Sequence, residues 1–326
     1  MAKLGEFDLI ARYFTRPVRR AALGVGDDCA LLAVAPGMTL AVSSDMLVEG
    51  RHFVSTVAPD RLGHKALAVN LSDLAACGAR PLAFTLALAL PQADESFLAP
   101  FARGLLALAD RHDCELIGGD TTRGPLTIAI TVFGEVVPGA ALLRSGARPG
   151  DDLYVSGTLG DARLALEVLR GTASVEGNGF SRIRRAMEEP QPRVALGLAL
   201  AGIATSAIDV SDGLAGDLGH VLNRSGVAAL VDVDALPRSA DLAAQTAALQ
   251  RECLLAGGDD YELVFSAPVE RRGAVTEAAR AAATAVTRIG RVEPGSGLRF
   301  VDAAGREIAG PARSFDHFRA EPPPAP

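Results

Sequence analysis

The run LAFTLALAL, residues 82–90, restricts the fold of this chain more than any other segment. It is apolar on both faces, so it reads as a strand inside a sheet covered on both sides, the arrangement typical of mixed α/β layers. Immediately before it stands DRLGHKALAVNLSDLAACG, residues 60–78. With Asp60 as N-cap candidate, Gly78 as stop and Pro81 just beyond, this segment predicts a helix. TLAVSSD, residues 39–45, predicts a short apolar strand ending in polar residues, and LTIAITVFGEV, residues 126–136, a further one. The first half is therefore α/β.

A length of 326 residues exceeds the ~100–200 of common single domains, so two domains are expected. RSGARPGDD, residues 144–152, concentrates Gly, Pro and charge, and a fresh strand DLYVSG overlaps its end. The boundary is placed near Gly150, giving domains 1–149 and 150–318 and a loose Pro-rich tail, 319–326. The second half again alternates, with strands at SAIDV, VAALVDV, DYELVFS and AVTRIGRV and a helix over LAGDLGHVLNRSG. No repeat of solenoid length is present.

The bulk numbers exclude several classes. A chain 49% hydrophobic and 22% charged is not disordered, and a net charge of −7 argues against nucleic acid as a partner. Arg16, Arg19 and Arg20 read as solvated surface. The longest uncharged stretch, residues 194–208, is shorter than the ~20 apolar residues of a membrane span and reads as a helix leading into a strand. Cys29, Cys77, Cys114 and Cys253 form no CxxC pair and read as free thiols of a reducing, cytoplasmic compartment, Cys29 and Cys77 as core fillers. No secretory signal opens the sequence.

The chemistry is carried by aspartates at strand ends or in an apolar helix: GVGDDCA (Asp27, Asp28), SSDML (Ser43, Ser44, Asp45), NLSDLA (Asp73), GGDTTRG (Asp120) and DVSDGL (Asp209, Asp212). One Asp after a strand is ordinarily a turn residue or cap. Asp73 resists that reading, because a carboxylate one turn from Asn70 in a mostly apolar helix needs a partner, and a cation is the obvious one. Carboxylates with the hydroxyls of Ser43 and Ser44 form an all-oxygen set, which suits magnesium and, through magnesium, phosphate. Lys3 and Lys65 are the chain's two lysines, and neither a P-loop nor a protein-kinase signature is present. Positive charge on phosphate therefore falls to several metal ions and Arg144. Gly118 and Gly119 before Asp120, and Gly257 and Gly258 before Asp259, suit close backbone approach to phosphate.

Taken in order, GEFDLIARYF, GVGDDCALL, SSDMLVEGRHF, KALAVNLSDLAACGARP, IGGDTTRGPL, RSGARPGD, DVSDGLAGDLGHVL, GGDDYELVF and FDHF closely resemble thiamine-monophosphate kinase over nearly the whole chain. The resemblance implies a two-domain α/β fold like that of aminoimidazole ribonucleotide synthetase and selenophosphate synthetase. The N-terminal sheet would form a barrel with that of a dimer mate, and the active site would lie between the domains. It implies Asp28, Ser43, Ser44, Asp45, Asp73, Asp120, Asp209 and Asp212 as ligands of several magnesium ions. Gly119, Asp120, Arg144 and Ser211 are implied for ATP, and His52, Asp259 and Phe315 for the thiamine substrate. The implied reaction is direct, in-line transfer of the ATP γ-phosphoryl to thiamine monophosphate, the last step of thiamine diphosphate biosynthesis. Where members read GGEDYE this chain has GGDDYE, and Phe315 stands where Tyr or Trp is common. The competing readings are another ATP-dependent enzyme of the superfamily and a non-catalytic magnesium-nucleotide sensor, the latter disfavoured by the full acidic set.

Overall fold

In the computed structural model, which describes residues 5–310, the chain builds two sheets. The first half carries α1 (Glu6–Leu9), continued by a π turn (Ile10–Phe14), then β1 (Thr39–Val48), α2 (Pro59–Ala76), β2 (Arg80–Leu90), α3 (Glu95–Arg111), β3 (Glu115–Arg123) and β4 (Thr127–Val136). The second half carries β5 (Asp152–Ser156), α4 (Asp161–Arg170), α5 (Gly179–Glu188), α6 (Val194–Leu200), β6 (Ser206–Asp209), α7 (Leu214–Ser225) and β7 (Ala228–Asp232). It continues with α8 (Ala240–Ala243), α9 (Ala247–Ala256), β8 (Leu263–Ala267), α10 (Arg272–Ala281), β9 (Val286–Glu293), β10 (Gly297–Val301) and β11 (Glu307–Ile308). The sheet orders are β1-β4-β2-β3 and β11-β10-β7-β9-β5-β8-β6.

The apolar run 82–90 lies in β2, next to the sheet's parallel edge strand β3, which it reaches through the α3 crossover. Phe84, Leu86, Leu88 and Leu90 belong to the core shared with α2 and α3. The other face is covered only in part. Leu82 and Ala83 lie under Ala21, Val18, Ala30, Leu32 and Val34, whereas Ala87 is exposed. The covering segment is pinned by Glu115, whose carboxylate accepts the N–H groups of Arg19, Arg20 and Ala21. Arg16 forms a two-bond pair with Asp110, and Arg19 and Arg20 both pair with Asp113. The basic cluster is thus engaged by acids of its own domain.

Helix α2 is the axle of the molecule. Ala- and Leu-rich sequence favours the helix, and Pro59 occupies its first turn, where a missing N–H costs nothing. Ala58, not Asp60, is the N-cap. Most of the helix is buried, as its near-continuous apolar sequence requires. Against α3 it packs at Gly63 and Gly104, where a Cβ on Gly104 would stand 1.8 Å from the Asp60 carbonyl oxygen. On its other side α6 crosses so closely that a Cβ on Gly197 would stand 2.0 Å from the Ala75 carbonyl oxygen. One core therefore runs from the first sheet through α2 and α6 to Leu263 and Phe265 of β8. A second core fills the other side of the seven-stranded sheet.

Three sequence readings shift. DYELVFS begins its strand at Leu263, because Asp259 and Tyr261 take φ values of 64° and 51° and hand their N–H groups to Ser211 and Val210. The Gly-rich CELIGGDTTRG, unassigned in the sequence, is strand β3, its extension imposed by pairing with β2. Cys29 and Cys77 are exposed, while Cys114 and Cys253 fill the cores. Among the described residues no helix is long and apolar enough to cross a membrane.

Candidate active site

Alternation along β1 decides which of its side chains reach α2. Ser43 and Asp45, with Leu47, are shielded on the side of α2, whereas Val42, Ser44 and Met46 emerge on the other face. The Ser43 hydroxyl donates to Asp73 Oδ2, and the Asp45 N–H donates to Asn70 Oδ1 at 3.0 Å. Asn70 completes its bonding by donating Nδ2 to the Ala66 carbonyl. The second sheet brings Asp209, the last residue of edge strand β6, to the same helix, where the Ser72 hydroxyl donates to its Oδ2 at 2.7 Å. The turn after β6 is held by Asp217 of α7, whose Oδ2 accepts the N–H groups of both Ser211 and Asp212 at 3.0 Å. Two edge strands from two sheets therefore converge on one helix.

The convergence is electrostatically costly. Burial, then the charges of Asp73 and Asp212, push the Asp45 carboxyl up to about 6. Burial raises Asp73 as well, against the Ser43 hydrogen bond and the Arg144 charge. Asp209 is raised by burial and by Asp73, in part offset by Ser72. Burial carries Asp217 to about 7 despite its two backbone donors. Beside the cluster opens a cavity of about 280 Å³ lined by Ser43, Asp73, Cys77, Arg144 and Asp209 among others.

Such a set fits a hard divalent cation: carboxylate and hydroxyl oxygens only, in mutual repulsion that a cation relieves. No group of three or more His, Cys, Asp or Glu among the described residues already stands at metal-binding spacing. Asp73 and Asp209 instead take the hydroxyls of Ser43 and Ser72.

The remaining predicted residues fall into three places. Asp28 and Asp120 are exposed, and among the described residues no hydrogen bond ties either side chain to the cluster. The Ser44 hydroxyl lies on the open sheet face, bonded to Ile130 O and Thr131 Oγ1. Gly119 sits in β3 with φ 148°, where a Cβ would stand 1.8 Å from the Leu86 carbonyl oxygen, so only glycine permits this pairing. His52 and Asp259 meet at one group that sequence reasoning missed: Lys65 of α2, which donates to the His52 carbonyl at 3.2 Å and pairs with Asp259 Oδ2. His52 Nδ1 accepts the Val48 N–H, which assigns the ring proton of the neutral form to Nε2. The signal was present, a lysine in the middle of an apolar helix. Phe315 lies outside the described residues.

The chain and its fold are similar to those of known proteins. The family profile "AIR synthase related protein, N-terminal domain" matches residues 26–136, and the corresponding C-terminal domain profile matches residues 148–303. The thiamine-monophosphate kinase of Salmonella typhimurium is 47% identical over 322 residues, 96% of this chain and 98% of that protein. The crystal structure of thiamine-monophosphate kinase from Stenotrophomonas maltophilia K279a superposes with a TM-score of 0.83 at 46% identity, covering 90% of this chain and 94% of that one. AaThiL complexed with AMPPCP and TMP superposes with a TM-score of 0.76 at 30% identity, covering 88% and 89%.

Proposed function

Because this chain belongs to the AIR synthase related family and, within it, to the thiamine-monophosphate kinases, we propose that the cleft along α2 is where ATP phosphorylates thiamine monophosphate. The products are ADP and thiamine diphosphate. The observation that carries this reading is the meeting of Asp45, Asp73 and Asp209, from three elements and both sheets, beside a cavity lined by Arg144. A relative of this fold bound to AMPPCP and TMP supports the same pair of substrates.

In this reading Asp45, Asp73, Asp209 and Asp212 hold magnesium, with Ser43, Asp28 and Asp120 completing the sites of several ions, while Ser44, whose hydroxyl faces the other side of β1, is left out of the set. Magnesium supplies charge neutralisation on the phosphate oxygens. Arg144, Gly119, Asp120 and Ser211 hold the nucleotide, Arg144 by its fixed positive charge and Gly119 by close backbone approach. His52, Asp259 and Phe315 hold the acceptor. No general base is required, because a phosphate monoester with a second pKa of ~6 is already largely ionised at neutral pH. The chain's task is to align two anions for direct, in-line transfer. Domains 1–149 and 150–318, with a tail at 319–326, are the proposed division, and the cytoplasm is the proposed site of this last step of thiamine diphosphate synthesis.

We also propose a homodimer closed by the open face of the first sheet into a barrel. Leu40, Val42 and Met46 stand 47%, 55% and 56% exposed on that face, beside an apolar hollow of about 690 Å³. A self-complementary apolar patch suits a two-fold contact.

The test is chromatographic. Purified protein with magnesium, ATP and thiamine monophosphate is expected to yield thiamine diphosphate, and thiamine in place of its monophosphate is expected to yield none. No product at saturating substrates and metal rejects the reading.

A further inference from the structure

Lys65 is 2% exposed, and burying an ammonium group that deeply is tolerated only when its charge and donors are met. Both of its partners come from loops on the cleft. Its Nζ pairs with Asp259 Oδ2 across 194 residues of sequence and donates to the His52 carbonyl. Asp259 itself is partly open, its side chain 34% exposed, and it sits in left-handed backbone with its N–H on Ser211 O. The phenol of Tyr261, also in left-handed backbone, lies beside the Asp259 side chain. A residue with a Cβ at φ 64° is held there by its surroundings, not by its own preference.

Seven residues further along α2, almost two full turns and so on the same face, Ser72 donates to Asp209. One helix face thus fastens two carboxylates of the chain's second half, Asp209 at the end of β6 and Asp259 in the loop before β8. Lys65 also cancels the Asp259 charge, which would otherwise repel an anionic acceptor close to an already negative cleft.

We propose that Lys65 is a positioning residue for the phosphate acceptor: it fixes the Asp259 carboxylate and the His52 loop in one arrangement, leaving Asp259 Oδ1 to read a donor on the acceptor. This inference rests on the proposed acceptor role of His52 and Asp259. It assigns acceptor recognition, not nucleotide recognition, to the ion pair, because neither partner of Lys65 belongs to the residues proposed for ATP.

The experiment compares wild type, Lys65→Met, Lys65→Arg, Asp259→Asn and the double variant Lys65→Met/Asp259→Asn by steady-state kinetics and thermal melting. Lys65→Met is expected to raise the KM for thiamine monophosphate by about tenfold with the KM for ATP changed less than about twofold, and Lys65→Arg to restore part of the loss. In the Asp259→Asn background, Lys65→Met is expected to add less than about twofold, since the lysine acts through that carboxylate. The double variant leaves no buried charge unpaired, so where Lys65→Met or Asp259→Asn alone does not fold, its acceptor KM is read in their place and is expected about tenfold above wild type with the KM for ATP changed less than about twofold. An unchanged acceptor KM in folded Lys65→Met, an equal rise in both KM values, or additive effects in the double variant overturns the proposal. Absence of thiamine diphosphate formation by wild type would instead reject the functional reading itself.

Discussion

Removing one negative charge from the Asp45, Asp73 and Asp209 cluster separates what the site does from what holds the fold. Asp45 is raised by burial and by two like charges, so neutralising it relieves repulsion while deleting an oxygen proposed to hold magnesium. Asp45→Asn is expected to lower turnover on the order of a hundredfold, as loss of a transition-state contact does. In chelator-treated protein the same variant is expected to melt at a higher temperature than wild type. Calorimetry and product assay read the two halves separately, and near-normal turnover removes Asp45 from the site. Asp217 works in the opposite sense, since its Oδ2 is the acceptor for two backbone donors. Asp217→Ala should cost about 1–3 kcal/mol in denaturant unfolding by stranding both N–H groups, and raise the KM for ATP through the freed Ser211 turn. These two aspartates also mark what was legible in sequence. Asp45 and Asp73 stood out as carboxylates amid apolar residues. Asp217 gave no such sign, because its partners are backbone N–H groups of a turn five and six residues earlier, and Lys65, a lysine within an apolar helix, pointed to burial but not to Asp259, which distant chain returns to it.

At the scale of elements, the α2–α3 contact determines how accurately the site is built, since α2 carries Lys65, Asn70, Ser72 and Asp73 together. The two backbones touch at Gly63 and Gly104 with no room for a methyl group. Gly104→Ala adds helix propensity yet forces the helices apart, and overpacking of about 1–3 kcal/mol or more outweighs the gain of about 1 kcal/mol. The variant should unfold at lower denaturant concentration and lose turnover together, the latter because α2 moves relative to β1. A stabilised variant would contradict this packing. Strands β1, β2 and β4 were readable from apolar runs, and α2 from its apolar run and its stop at Gly78, although its N-cap is Ala58 and not Asp60. Strand β3 was not, because Gly118 and Gly119 give it no strand preference of its own. The false start of β8 at Asp260 has the same origin, in that hydrogen bonds from Asp259 and Tyr261 to residues 210–211 override a strand-like sequence.

For the whole molecule, the unequal covering of the first sheet is the property with the widest consequence. Residues 18–34 cover Leu82 and Ala83, but the sheet's outer face beyond them keeps Leu40, Val42 and Met46 exposed around an apolar hollow. β1 is moreover an edge strand, bonded to β4 on one side only, a geometry that invites association unless it is covered. Among the described residues no charged side chain lines the hollow, so an acidic residue placed there finds no partner among them and must stay in water. Leu40 lies five residues before Asp45 on β1 and faces away from α2, so a change there strikes the outer face without touching the carboxylate cluster. By sedimentation equilibrium wild type is expected at twice the 33.6 kDa chain mass, and Leu40→Asp at the single mass with unchanged far-ultraviolet circular dichroism. A wild-type monomer at micromolar concentration would reject the dimer while leaving the cleft chemistry standing, because every hydrogen bond described around Asp73 and Asp209 is made within one chain.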